Sequence, residues 1–158
     1  MDHESRFDEK LESLGLTLPK PVQTAYNYRP LVVYEGVAYV AAQIPKTGVS
    51  EVTRAGQVGA EVTETEAGDA ARFCALHGLS WVRHELGGLA NVRQVLRLVG
   101  YVAVAPGFLN ISNVVEPAST VLIDIFGDSG RHARSVVGVE RLPRNSPVLI
   151  EMTLGVKA

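Results

Sequence analysis

The sequence predicts an α+β fold: a mixed β-sheet with two helices packed on one face, plus a short N-terminal helix. Three observations carry this. Runs rich in Val, Leu and Tyr recur near residues 31–42, 92–104 and 135–156, the composition of strands. Between the first two lies a long stretch with small residues on one side, Ala67, Ala71, Cys74, Ala75, Gly78 and Val82, which lets a helix lie close against a sheet. A second helical stretch follows the longest strand. The resulting order is strand, hairpin, helix, long strand, helix, strand, strand, and helices on one face of a mixed sheet make a two-layer sandwich.

In chain order, residues Ser5 to Leu14 predict a short helix. Ser5 is placed to cap it, Phe7, Leu11 and Leu14 share a face, and Gly15 stops it. Pro19 and Pro21 then enforce extended backbone. Val22 to Tyr28 reads as a first short strand with Tyr26 and Tyr28 on one face. Leu31–Tyr34 and Val37–Ala42 flank Glu35-Gly36, the signature of a tight hairpin. Residues 51–60 read as loop. Thr63 with Glu66 forms a capping box that opens a helix running to about Leu86, closed by Gly87-Gly88. Val92 to Val104 reads as a central strand, broken by Pro106-Gly107. Asn110 to Asn113 reads as loop, and Pro117 as the start of a second helix, Ala118 to Phe126, ended by Gly127. Ser135–Val139 and Val148–Val156 complete the sheet, joined by a Leu-Pro turn.

Composition excludes several classes. The 158 residues fit a single domain, 1–158, with residues 1–18 as an N-terminal helical extension. The net charge of −2 supplies no basic field for nucleic acid or an anionic membrane. No apolar run approaches the roughly 20 residues of a membrane span, and the charged N-terminus is no signal peptide. The lone Cys74 makes no internal disulfide, which fits a reducing compartment, and a cytoplasmic location is expected. Cys74 itself reads as a small buried hydrophobe. His77 and His84 lack the spacing of a zinc-binding pair, and no metal or organic cofactor is expected. Glycine-rich nucleotide loops, a nucleophile elbow and paired C-x-x-C motifs are all missing. One sheet face is left uncovered by so few helices, which predicts a closed ring of identical subunits.

The residue that points to chemistry is Arg134, at the mouth of the strand that begins near Ser135. A guanidinium there can hold a planar carboxylate in two parallel hydrogen bonds, although arginines in such places also serve as surface ion-pair partners. Arg131 and His132 add positive potential or sit as solvated turn residues. Ser135 can donate to a carboxylate or is merely tolerated in the strand.

Tyr28, the run Ala41-Ala42-Gln43-Ile44-Pro45, Ala133-Arg134-Ser135-Val136-Val137, Arg141-Leu142-Pro143 and Val148–Glu151 together resemble the reactive intermediate deaminase family, also called the YjgF/YER057c/UK114 family. The resemblance covers about residues Val22 to Val156, and the extra N-terminal helix matches a longer-chained subgroup. It implies a chorismate-mutase-like fold, a homotrimer with clefts between subunits, and hydrolysis of enamines and imines such as 2-aminoacrylate to 2-keto acids and ammonia, without metal or organic cofactor. The family's carboxylate-binding arginine falls on Arg134 and its pocket tyrosine on Tyr28, with Ala42, Gln43 and Ser135 as further substrate contacts.

One departure matters. The family's water-positioning glutamate falls on Leu149, which can neither accept a hydrogen bond nor carry a proton. Glu151 lies two residues on, on the same strand face, and either replaces it at a shifted height or is structural. Glu116, before Pro117, is another replacement acid, or an acidic residue favoured by a helix N-terminus. Two readings therefore stand: a deaminase-like hydrolase using Arg134 with Glu151 or Glu116, and a non-catalytic binder of small carboxylates. A third, ribonuclease or translation inhibitor, follows from older family labels and finds little support in the charge. No nucleic-acid or membrane partner is expected.

Overall fold

A computed structural model describes residues 3–157. The elements are α1 (His3–Ser13), β1 (Leu31–Tyr34), β2 (Val37–Gln43), α2 (Glu64–Leu86), β3 (Val92–Ala103), α3 (Ile111–Phe126), β4 (Ala133–Val139) and β5 (Val148–Val156). The sheet order is β1-β2-β5-β3-β4. Every pairing is antiparallel except β3 with β4. A parallel pair needs a crossover, and α3 supplies it. The fold is the expected α+β, chorismate-mutase-like sheet with two helices on one face and a helix at the N-terminus.

Alternation along β5 defines the two faces. Val148, Ile150, Met152, Leu154 and Val156 are buried, whereas Leu149, Glu151, Thr153 and Gly155 are only partly covered. The buried set faces α2 and α3. Helix α2 comes close because its inner side is small: a Cβ on Gly78 would collide with the Met152 methyl, and one on Gly68 would lie 3.2 Å from the Pro117 ring of α3. The other sheet face has no helix. It exposes Val32, Tyr34, Tyr39, Leu96 and Val137.

Local chemistry explains most boundaries. The Thr63 hydroxyl accepts from the Glu66 N–H while Glu66 accepts from the Thr63 N–H, and Gly87 closes α2 in the left-handed conformation at φ 75°. Glu35 and Gly36 both have positive φ, 47° and 77°, as a two-residue hairpin turn requires.

Four expectations need correction. Helix α1 already includes His3 and Glu4, ahead of the expected cap at Ser5. Glu4 is drawn into it by tertiary partners, accepting from the Ala90 N–H at 2.9 Å and pairing with Arg83 at 3.0 Å. Val22–Tyr28 forms no strand. Its Val22 N–H donates to the His77 ring and Tyr28 N–H folds back on the Tyr26 carbonyl, so it runs as a strap across α2. Residues 111–113, read as loop, open α3, and Pro117 sits inside that helix. The ring is tolerated because it fills the gap that Gly68 leaves. Finally, the strand read as Ser135–Val139 begins at Ala133.

Candidate functional site

Arg134 lies on the helix side of β4. It pairs in register with Leu98, which is fully buried under the helices. There its Nη1 donates to Glu116 Oε2 at 2.6 Å and to Ser119 Oγ at 3.2 Å, both on α3. The Glu116 side chain is 61% exposed and that of Arg134 24%, so the pair contributes only about 0–1 kcal/mol to stability. Its effect is geometric. Both bonds leave from one nitrogen, and among the described residues Nη2 and Nε have no partner. That edge offers two parallel N–H donors, a geometry that can receive a carboxylate.

A relay steadies this arginine. His132 Nδ1 lies 2.6 Å from the Gly130 carbonyl and Nε2 lies 2.9 Å from Ser119 Oγ. A carbonyl accepts only, so Nδ1 carries the hydrogen. In the neutral ring Nε2 then accepts from the Ser119 hydroxyl, leaving the Ser119 lone pairs for Arg134. His132, read from sequence as a turn residue with at most a field effect, is thus tied to Arg134 through Ser119. Ser119 was not singled out in the sequence; its spacing of three residues from Glu116, one helical turn, was the available signal. Glu116 also lines a groove of about 460 Å³ along α3, with Arg72, Asn113, Thr120 and Asp124.

A second cavity, of about 230 Å³, opens at the far end of the helix-free face. Tyr26 and Tyr28 of the strap, Ala42 of β2, Ile44 and Lys46 just beyond it, Arg144, and Leu149 of β5 line it. The two tyrosines do share a face, although their segment is no strand. Arg144 and Asn145 hold left-handed backbone, φ 56° and 54°, which costs non-glycine residues on the order of 1–3 kcal/mol each. The turn is held by Asn145 N–H on the Leu142 carbonyl, Gly56 N–H on the Asn145 carbonyl and Ser146 Oγ on the Pro143 carbonyl. Burial, and then the Arg144 charge, lower the Lys46 pKa from its ordinary value.

The structure distributes the sequence-derived site residues over two faces. Tyr28 and Ala42 meet at the second cavity with Leu149. Glu151 and Ser135 both pair with Val99 and so share the helix-free face. Ser135 accepts from Arg97 Nη2 at 3.0 Å. Arg134 and Glu116 lie on the helix side. Gln43 departs most from expectation: it is buried, packs by Gly78 of α2, and donates to its own strand's Ala41 carbonyl. Parity explains this, because Gln43 pairs with Ile150, a core position. Cys74 is buried as expected, and burial raises its thiol pKa well above the ordinary value. Among the described residues no group of three His, Cys, Asp or Glu side chains is arranged to hold a metal. No described helix is long and apolar enough to cross a membrane.

Comparison with known proteins agrees with this architecture. Residues 8–154 match the family described as YjgF/chorismate_mutase-like, putative endoribonuclease. Protein TCP17 of Trypanosoma cruzi is 37% identical over 147 residues, 92% of this chain and 91% of that protein. The crystal structure of Atu1372 from Agrobacterium tumefaciens superposes with a TM-score of 0.88 at 33% identity, covering 99% of this chain and 95% of that one. The crystal structure of a putative endoribonuclease from Shewanella oneidensis superposes with a TM-score of 0.89 at 27% identity, covering 95% of this chain and 99% of that one.

Proposed function

The chain belongs to the YjgF/chorismate_mutase-like family, and from that premise we propose that it is a cofactor-independent, deaminase-like hydrolase of small enamine or imine carboxylates such as 2-aminoacrylate. The observation that carries this is the state of Arg134: one nitrogen held by Glu116 and Ser119, the opposite edge open to a carboxylate. The working unit is a homotrimer. In it the β4 edge of one copy, which carries Arg134 with Glu116 beside it, meets the helix-free face of the next copy at the mouth of its Tyr28–Leu149 cavity. Two features support this: the exposed apolar face, and the division of the site residues between the two sides of one sheet.

In this reading the substrate carboxylate seats on the Nη2–Nε edge of Arg134. Protonation of the enamine carbon gives the iminium ion, whose nitrogen already carries both hydrogens and draws the C=N π pair. Water adds to the C=N carbon, its oxygen forming the new bond as the π pair moves to nitrogen. The carbinolamine then loses ammonia, leaving the 2-keto acid. Glu116, hydrogen-bonded to Arg134, is the acceptor that orients the water, takes its proton and hands that proton to the nitrogen as ammonia leaves. Leu149 cannot do so, and Glu151 shares its strand face as the other acid within reach of the cleft.

The test is release of ammonia and keto acid from freshly generated 2-aminoacrylate. Wild type is expected to exceed the uncatalysed rate, and Arg134→Ala to lose about 1.5–3 kcal/mol of binding. A wild-type rate equal to background at high protein concentration rejects this substrate. Leu149 favours a second reading, a carboxylate-binding protein without turnover, marked by saturable binding of 2-ketobutyrate alone. The endoribonuclease in the family's description finds no support in the net charge of −2.

A further inference from the structure

The cavity at the end of the helix-free face differs from a simple carboxylate pocket in its charge. Two cationic side chains, Lys46 and Arg144, line it, and no Asp or Glu does. Neither cation has a salt-bridge partner among the described residues. Both come from short, fixed turns. Lys46 follows β2 in a loop closed by the Thr53 N–H on the Pro45 carbonyl and a bridge to Val52. Arg144 sits on left-handed backbone that a non-glycine residue adopts only when its surroundings impose it. The hydroxyls of Thr24, Tyr26 and Tyr28 add donors around the same space, and Leu149 is its apolar contribution from β5.

Two like charges converging on a partly buried cavity repel each other and lose hydration. Burial and the Arg144 charge both disfavour protonation of Lys46. An anion between them reverses both penalties. Where the family pattern has an acid, this chain has a leucine flanked by cations.

We propose that this cavity holds a second anionic group of the ligand, so that the substrate is a small molecule with acid groups at both ends: one carboxylate on Arg134, and a carboxylate or phosphate between Lys46 and Arg144. This rests on the reading of Arg134 as a carboxylate anchor facing the cavity across a subunit contact. It narrows that reading from monocarboxylates such as 2-aminoacrylate to dianions. Leu149 then has a role, since an acid at that position would repel the ligand's second charge.

Calorimetric titration of the assembled full-length protein decides it, using monocarboxylates and dicarboxylates of equal chain length from propionate and malonate to hexanoate and adipate. At least one diacid is expected to bind about tenfold or more tightly than its monoacid, as a charge-assisted contact implies. Lys46→Met and Arg144→Gln, each checked for an unchanged circular dichroism spectrum, are expected to bring the diacid's affinity down to that of its monoacid. Comparison of 3-phosphonopropionate with succinate tells which acid group the cavity prefers. Monoacids that bind as tightly as every diacid and the phosphonate overturn the proposal and leave the Arg134 reading intact. Retention of the diacid advantage in both variants also overturns it. If neither class binds at millimolar concentration, the Arg134 reading fails and the proposal with it.

Discussion

His77 shows how a single side chain converts position into a pH response. It is fully buried, takes the Val22 N–H on Nε2 at 3.3 Å and stands edge-on to Phe73. Burial, with Lys46 adding to it, lowers its pKa to about 4. The folded protein therefore keeps the ring neutral, while the unfolded chain protonates it near pH 6.5. Between those values the unfolded state binds more protons, so stability is full above pH 6.5 and falls as pH drops toward 4. His77→Gln retains an acceptor for Val22 but does not titrate. Its melting temperature is expected to fall less than that of wild type between pH 7 and pH 5, and parallel profiles would reject the assignment. The sequence left His77 open between surface and core. Period-two and helical patterns mark which side a residue faces, but they do not reveal that a distant strap will donate to it. Arg134 stood out as a candidate anion holder from its place beside a strand, whereas the Ser119–His132 relay behind it depends on α3 lying over β4.

At the scale of elements, close approach of α3 to the sheet rests on Gly100 in the middle of β3. A Cβ there would lie 2.6 and 2.8 Å from the two Val115 methyls, too near for either group to stay in place. Gly100→Ala is expected to lose about 1–3 kcal/mol of stability in urea denaturation. Val115→Ala in the same chain is expected to restore part of it, since the two sites share one contact. Additive losses would show that the strain lies elsewhere. Elements with a complete local code, the Thr63–Glu66 box of α2 and the Glu35-Gly36 turn, stood out in the sequence. The misread ones lacked such a code. The Val22–Tyr28 strap has strand-like residues but no partner strand. Pro117 resembles a helix start, yet its ring is accommodated mid-helix by a glycine on α2, 49 positions earlier in the chain.

For the whole molecule, the helix-free face is the feature that single-chain chemistry leaves unexplained. Tyr39 is 54% exposed there and Val137 44%, and covering such residues contributes roughly 25 cal/mol per Å². If self-association covers them, sedimentation equilibrium is expected to give three times the chain mass of 17.0 kDa, and Tyr39→Lys with Val137→Lys to shift it toward the monomer. A monomeric wild type at micromolar concentration would reject the assembled cleft. The family resemblance made the fold legible and named the candidate site residues. The sequence pattern showed one sheet face unaccounted for, but which side of the sheet each site residue occupies came only with the strand registers.

The order β1-β2-β5-β3-β4 has a further consequence, in the making of the protein. β5 is the seam of the sheet, pairing with β2 on one side and β3 on the other, yet it is the strand synthesised after all four others. Until it leaves the ribosome, the β1–β2 hairpin and the β3–α3–β4 unit have no hydrogen bonds to each other through the sheet. Both inner edges then stand open beside helices rich in small apolar residues. The nascent chain is therefore held as two unjoined halves until β5 is made, with its edges exposed to wrong pairing.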